Sequence, residues 1–124
     1  MLTCSIVYAS PNTNARRLAE TMEAVVGNQC IYMGAMSDQA LNADVIFWGG
    51  NTDTKTPEIL AFEKKLQNRV VVEYGHLCIG GAKDLYAIGN FAQRVMQNAE
   101  RIAAEERVKK MTEAGNVHGH QRAV

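Results

Sequence analysis

From its amino end, the chain alternates short apolar runs with polar loops and longer amphipathic stretches. Residues 2–8 are largely β-branched, aromatic and uncharged, which predicts a strand buried on both faces. A dense turn-and-cap cluster follows at Ser10, Pro11, Asn12, Thr13 and Asn14. Leu18, Ala19, Met22, Val25 and Val26 then recur at the spacing that buries one stripe of a helix, and Gly27 with Asn28 forms its stop. Cys30, Ile31, Tyr32 and Met33 predict a second strand closed by Gly34, and residues 38–42 have room for only a turn or two of helix. Val45, Ile46, Phe47, Trp48, Gly49 and Gly50 form a third buried strand that stops abruptly at a polar loop, residues 51–55.

Pro57 suits the first turn of a helix that Ile59, Leu60, Phe62 and Leu66 carry to about residue 67. Residues 69–74 predict a fourth strand with Val70, Val71 and Val72 as its buried centre, and residues 75–81 a glycine-rich loop. A long helix is expected from about residue 85 or 90 to residue 113, with Phe91, Val95, Ala99, Ile102 and Ala103 as its inner stripe. Its nearly all-charged segment, residues 105–110, is expected to project into solvent. Gly115 is the expected stop, and residues 116–124 form a polar tail or a short edge strand.

Strands alternating with helices over short connections predict one α/β domain over residues 1–124, a doubly wound parallel sheet of four to five strands in the order 2-1-3-4-(5). In such sheets ligands bind beyond the carboxyl ends of the strands, where the strand order reverses. The loops expected there, residues 10–14, 51–55 and 75–81, are all polar or glycine-rich. The first also leads into a helix start, whose free N–H groups and positive dipole end suit an anion.

Composition narrows the partners. Lys plus Arg equal Asp plus Glu at 13 each, so charge offers nothing to a nucleic acid or a membrane surface. No apolar run approaches a membrane span, and the amino end lacks the pattern of a signal peptide. Three cysteines without metal-ligand spacing fit a reducing compartment, and cytoplasm is the expectation. Cys4 and Cys30 read as small core residues, Cys78 has no CxxC partner, and His118 and His120 lack further ligands nearby.

At this point the chain resembles the flavodoxin family. Tyr8 to Ala15, Y-A-S-P-N-T-N-A, is similar to that family's phosphate loop of the type Y-x-S-x-T-G-N-T, and Arg17-Leu18-Ala19-Glu20 to the helix after it. The strand ending in Trp48-Gly49-Gly50 resembles the third strand and second flavin loop, and Tyr74-Gly75-His76-Leu77 the turn after strand four in a short branch. The resemblance implies noncovalent FMN and electron exchange with a redox partner protein, a carrier rather than a catalyst. Ser10, Asn12, Thr13, Asn14 and Ala15 would face the phosphate, while Asn51, Thr52, Asp53, Gly75, His76, Leu77 and Tyr86 would line the flavin ring. Thr13 replaces the family's glycine, Ala15 its threonine and Asn51 a common stacking aromatic, so FMN is expected to be held weakly or lost. A flavin-free partner-binding module and a small FMN-dependent reductase are the alternatives.

Overall fold

β1 (Cys4–Tyr8) occupies the middle of the sheet, with Cys4, Ser5, Ile6 and Val7 all fully buried. The computed structural model describes residues 1–10, 13–50, 54–77 and 81–119. After β1 come α1 (Thr13–Val26), β2 (Cys30–Ala35), a 3-10 turn (Asp38–Asn42), β3 (Val45–Gly49), α2 (Pro57–Lys65), β4 (Val70–Glu73) and α3 (Ala82–Gly119). The four strands are parallel, in the order β2-β1-β3-β4. This is the expected doubly wound α/β arrangement, with helices on both faces of the sheet.

Pleat alternation sends β1 side chains to two separate cores. Cys4 and Ile6, with Val45 and Phe47 of β3, meet Leu18, Ala19 and Met22 of α1 and Ile88, Ala92 and Met96 of α3. Val7, Ile46 and Trp48 point the other way, onto Ile59 and Phe62 of α2 and Ala40 of the 3-10 turn. Ser5 lies on this second face and satisfies its buried hydroxyl by donating to the Ala40 carbonyl at 2.8 Å. That bond holds the short turn against the sheet. α1 ends as its sequence dictates: Gly27 takes φ +58°, a left-handed conformation that favours glycine. Cys4 and Cys30 pair in register on β1 and β2, and a hydrogen bond with Cys30, then burial, push the Cys4 thiol up.

Three expectations need correction. Val70, Val71 and Val72 are not a buried centre, because β4 is an edge strand: Val70 is 57% exposed and the other two only half-buried. A triple valine marks strand preference and does not say whether a neighbour covers it. The inner stripe of α3 is also wider than expected: Phe91, Val95 and Ala99 pack half-buried against the core, Phe91 edge-on to Phe47, but Ile88, Ala92 and Met96 are the fully buried positions and Ile102 is 49% exposed. The cause is α1. A Cβ on Gly89 would lie 2.7 Å from Val25 Cγ2, so the two helices meet closely there and α3 turns its buried face toward both α1 and the sheet.

Finally, α3 begins at Ala82 and passes Gly115 to reach Gly119, so residues 116–119 are helix and not an edge strand. The start is fixed by the Gly81 carbonyl, which accepts the N–H groups of Asp84 and Leu85 at 3.0 and 3.1 Å. An interior glycine costs about 1 kcal/mol relative to alanine and ends a helix only where the chain turns left-handed there. Near the amino edge, Glu100 accepts from Leu2 N–H at 3.1 Å and from Gln29 Nε2 at 3.2 Å, which levels α3 with the strand starts. Residues 105–112 beyond it are all exposed, as their charge pattern predicts.

The placement of α3 has a measurable signature. Met96→Ala is expected to cost about 2–5 kcal/mol in urea unfolding, whereas Val108→Ala on the projecting part should stay within about 0.5 kcal/mol. Equal costs would contradict this packing.

Candidate functional site

The carboxyl ends of β1, β3 and β4 share one edge of the sheet because all strands run parallel. β1 leaves toward the face carrying α1, and β3 toward the face carrying α2. Their exits therefore diverge between two neighbouring strands, the switch point at which such sheets open a crevice. The exits start side by side, since Ala9 N–H donates to the Gly49 carbonyl at 3.1 Å.

Two aromatic rings shape this edge from below. Tyr74 follows β4, is fully buried, and donates its hydroxyl to the Val7 carbonyl at 2.8 Å. Burial, with Tyr8 adding a smaller effect, pushes its phenol well above the usual tyrosine value, so it stays a donor. The ring crosses Gly49 so closely that a Cβ there would fall 2.7 Å from it. Trp48, 2% exposed, takes up the space beside Gly50 in the same way: a Cβ there would collide with the indole ring. The two glycines ending β3 are thus required by the packing of two neighbouring rings.

The second exit is braced by charge. Trp48 Nε1 donates to Glu63 Oε2 at 3.1 Å, and Lys55 Nζ reaches both oxygens of Glu63 at 2.9 and 3.0 Å. The Lys55 hydrogen bond holds the Glu63 carboxyl below its ordinary range, with Trp48 assisting against the opposing effect of burial. Thr56 caps α2 by accepting the Ile59 N–H at 3.2 Å, so the start of α2 is already served. Of the three α-helices, α1 has no acidic residue in its first turn, where α2 has Glu58 and α3 Asp84.

Several residues expected at the site are located. Ser10 is half-buried at the end of the first exit, Asn14 is exposed and Ala15 half-buried in the first turn of α1. Thr13 opens that helix, although its side chain lies outside the described set. Gly75 and Leu77 are half-buried and His76 is exposed in the turn after β4, closed by Leu77 N–H to the Tyr74 carbonyl at 3.0 Å. Tyr86 is 74% exposed on the first turns of α3, so it is not packed beneath the loop. Asn12, Asn51, Thr52, Asp53 and Cys78 lie outside the described residues, as does His120. Arg16 and Arg17 are exposed, as expected of a solvated helix face, and Arg16 pairs with Glu20 at 3.2 Å.

The two braces, Tyr74 to Val7 and Glu63 to Trp48 and Lys55, were not foreseen from the sequence. The signal available was the pair of glycines after two large aromatics' worth of strand, together with a lone carboxylate on the inner side of an otherwise apolar helix stripe. Among the described residues no group of three His, Cys, Asp or Glu side chains stands together to hold a metal, and no helix is long and apolar enough to cross a membrane. No protein-family model, characterised protein or solved structure matches the chain.

The edge geometry has two consequences. Gly49→Ala should cost about 1–3 kcal/mol by overpacking Tyr74, and an unchanged urea midpoint would mean the ring moves freely. Glu63 has a lowered folded pKa, so its contribution is complete above the ordinary value of 4.5 and drains as pH falls through the folded value. The stability gap between the wild type and Glu63→Gln should accordingly shrink below pH 4.5. A gap independent of pH would remove the carboxylate from this role.

Proposed function

We propose that this chain is a flavodoxin-like domain that holds FMN noncovalently at the carboxyl edge of its sheet and exchanges electrons with a redox partner protein. The observation that carries this reading is the switch point between β1 and β3, where the first exit enters α1. The donor set there fits a phosphate. It consists of the Ser10 hydroxyl, the Asn14 amide and the positive end of the α1 dipole, with Arg16 and Arg17 on the same turn and no first-turn acid to repel an anion. The resemblance of residues 8–15 to a flavodoxin phosphate loop points the same way.

FMN, when bound, supplies the redox chemistry. The chain's own residues would bind and orient it. Ser10, Asn12, Thr13, Asn14 and Ala15 would hold the phosphate. Asn51, Thr52 and Asp53 would approach one side of the ring, and Gly75, His76 and Leu77 its edge. The exposed Tyr86 ring is available as a stacking surface in place of the aromatic that Asn51 replaces. The braces beneath Gly49 and Gly50 would keep the two exits a fixed distance apart whether or not ligand is present. An electron carrier of this kind requires no side-chain acid, base or nucleophile.

Titration of FMN with the purified chain, followed by flavin fluorescence, tests the reading. Ser10→Ala with Asn12→Ala should weaken binding by about 1.5–3 kcal/mol for each hydrogen bond lost to a charged group. Thr13→Gly with Ala15→Thr should tighten it, since glycine relieves the loop and threonine restores a donor. Absence of FMN binding by both the natural and the restored loop would overturn the proposal, as would an affinity indifferent to all four positions.

A further inference from the structure

The amino half of β4 borders an apolar groove of about 460 Å³, on the far side of the molecule from the candidate flavin edge. Val70 and Val72 form its floor and Val95, Ala99 and Ile102 of α3 its wall. Val70 is 57% and Ile102 49% exposed, so two large aliphatic side chains face solvent beside an open strand edge. That edge offers backbone as well. Tyr74 N–H reaches inward to the Trp48 carbonyl, so the alternation of a parallel ladder turns the N–H and C=O of Val71 and Glu73 outward. An edge of this kind invites another strand.

The chain's own continuation is poorly placed to supply that strand. α3 lies on the same face as α1, and the β1–α1–β2 crossover moves across the sheet in the direction away from β4. A strand following α3 could reach the outer edge of β4 only by a crossover of the opposite hand, which parallel sheets almost never use. The edge sequence instead complements itself. Opposed residues in an antiparallel pair share a face, so a two-fold axis perpendicular to the sheet must pass through a residue and not between two. Placed at Val71, the axis sets Arg69 opposite Glu73 twice, Val70 opposite Val72 twice, and Val71 opposite itself. Moved to Val70, it would face Arg69 with Val71. Moved to Val72, it would face Glu73 with Val71. The other edge strand, β2, has no charged residue to fix such a register.

We propose that two copies of this chain pair antiparallel through β4 about a two-fold axis at Val71, giving a continuous eight-stranded sheet. The Val71 residues exchange two backbone hydrogen bonds, the Arg69–Glu73 pairs set the register, and Ile102, Val70 and Val72 of both copies close the grooves against each other. Arg69 already bonds the Lys65 and Leu41 carbonyls through Nε and Nη1, which holds its guanidinium near the strand start. This interface is independent of flavin and leaves the opposite ends of the strands open.

Sedimentation equilibrium of the purified chain, without FMN, is the test. A dimer is expected, with Glu73→Arg weakening it on the order of tenfold or more because like charges then oppose each other twice. The exchange Arg69→Glu with Glu73→Arg should restore the dimer, a rescue that a generally damaged fold would not give. Circular dichroism of each variant checks that it remains folded. A wild type that stays monomeric up to about 100 μM would overturn the proposal and leave the two charges as guards of a solitary edge. A dimer indifferent to Glu73→Arg, or one that the double exchange does not restore, would overturn it as well.

Discussion

Everything in this molecule depends on β1 being buried on both faces. A strand with no exposed side must be flanked by strands and covered above and below, and parallel pairing with β2 and β3 supplies the first requirement. The second is met by α1 and α3 on one face and by α2 with the 3-10 turn on the other. Parallel pairing also brings every strand out at the same edge, so the carboxyl ends of β1, β3 and β4 gather without any direct attraction between them. The candidate site is thus a by-product of the way the core is closed.

That edge is kept rigid by ties that cross large sequence distances. Tyr74 reaches Val7 beneath the sheet edge, and Glu63 links the Trp48 indole to Lys55 at the second exit. Each tie combines a buried aromatic ring with one polar partner, so hydrophobic burial fixes the ring and the hydrogen bond fixes its orientation. Gly49 and Gly50 are what the rings leave room for.

The sequence made the architecture legible because its signals are local. The uncharged run before Ser10, the left-handed stop at Gly27, the Pro57 helix start and the abrupt end of the strand at Gly49 all correspond to features of the fold. What escaped were properties set by neighbours. Val70 to Val72 looked buried because valine prefers strands, yet no strand covers the outer side of β4 among the described residues. Ile102 looked buried because it continues an apolar helix stripe, yet it stands beside the edge strand β4, beyond which no strand covers it among the described residues. At the carboxyl edge, the start of α1 at Thr13 was readable from the cap cluster. The Tyr74–Val7 tie, between residues 67 positions apart, leaves no local trace.

The most direct test of a ligand site at the carboxyl edge is the map of backbone amide shifts on adding FMN to the isotopically labelled chain. Shifts are expected at Ser10, Thr13, Asn14, Ala15, Gly75, His76 and Leu77, with residues 51–55 following and the amino edge around Leu2, Gln29 and Glu100 unmoved. Shifts confined to the amino edge or to the groove beside β4, or none at all at saturating FMN, would contradict a flavin site at the switch point.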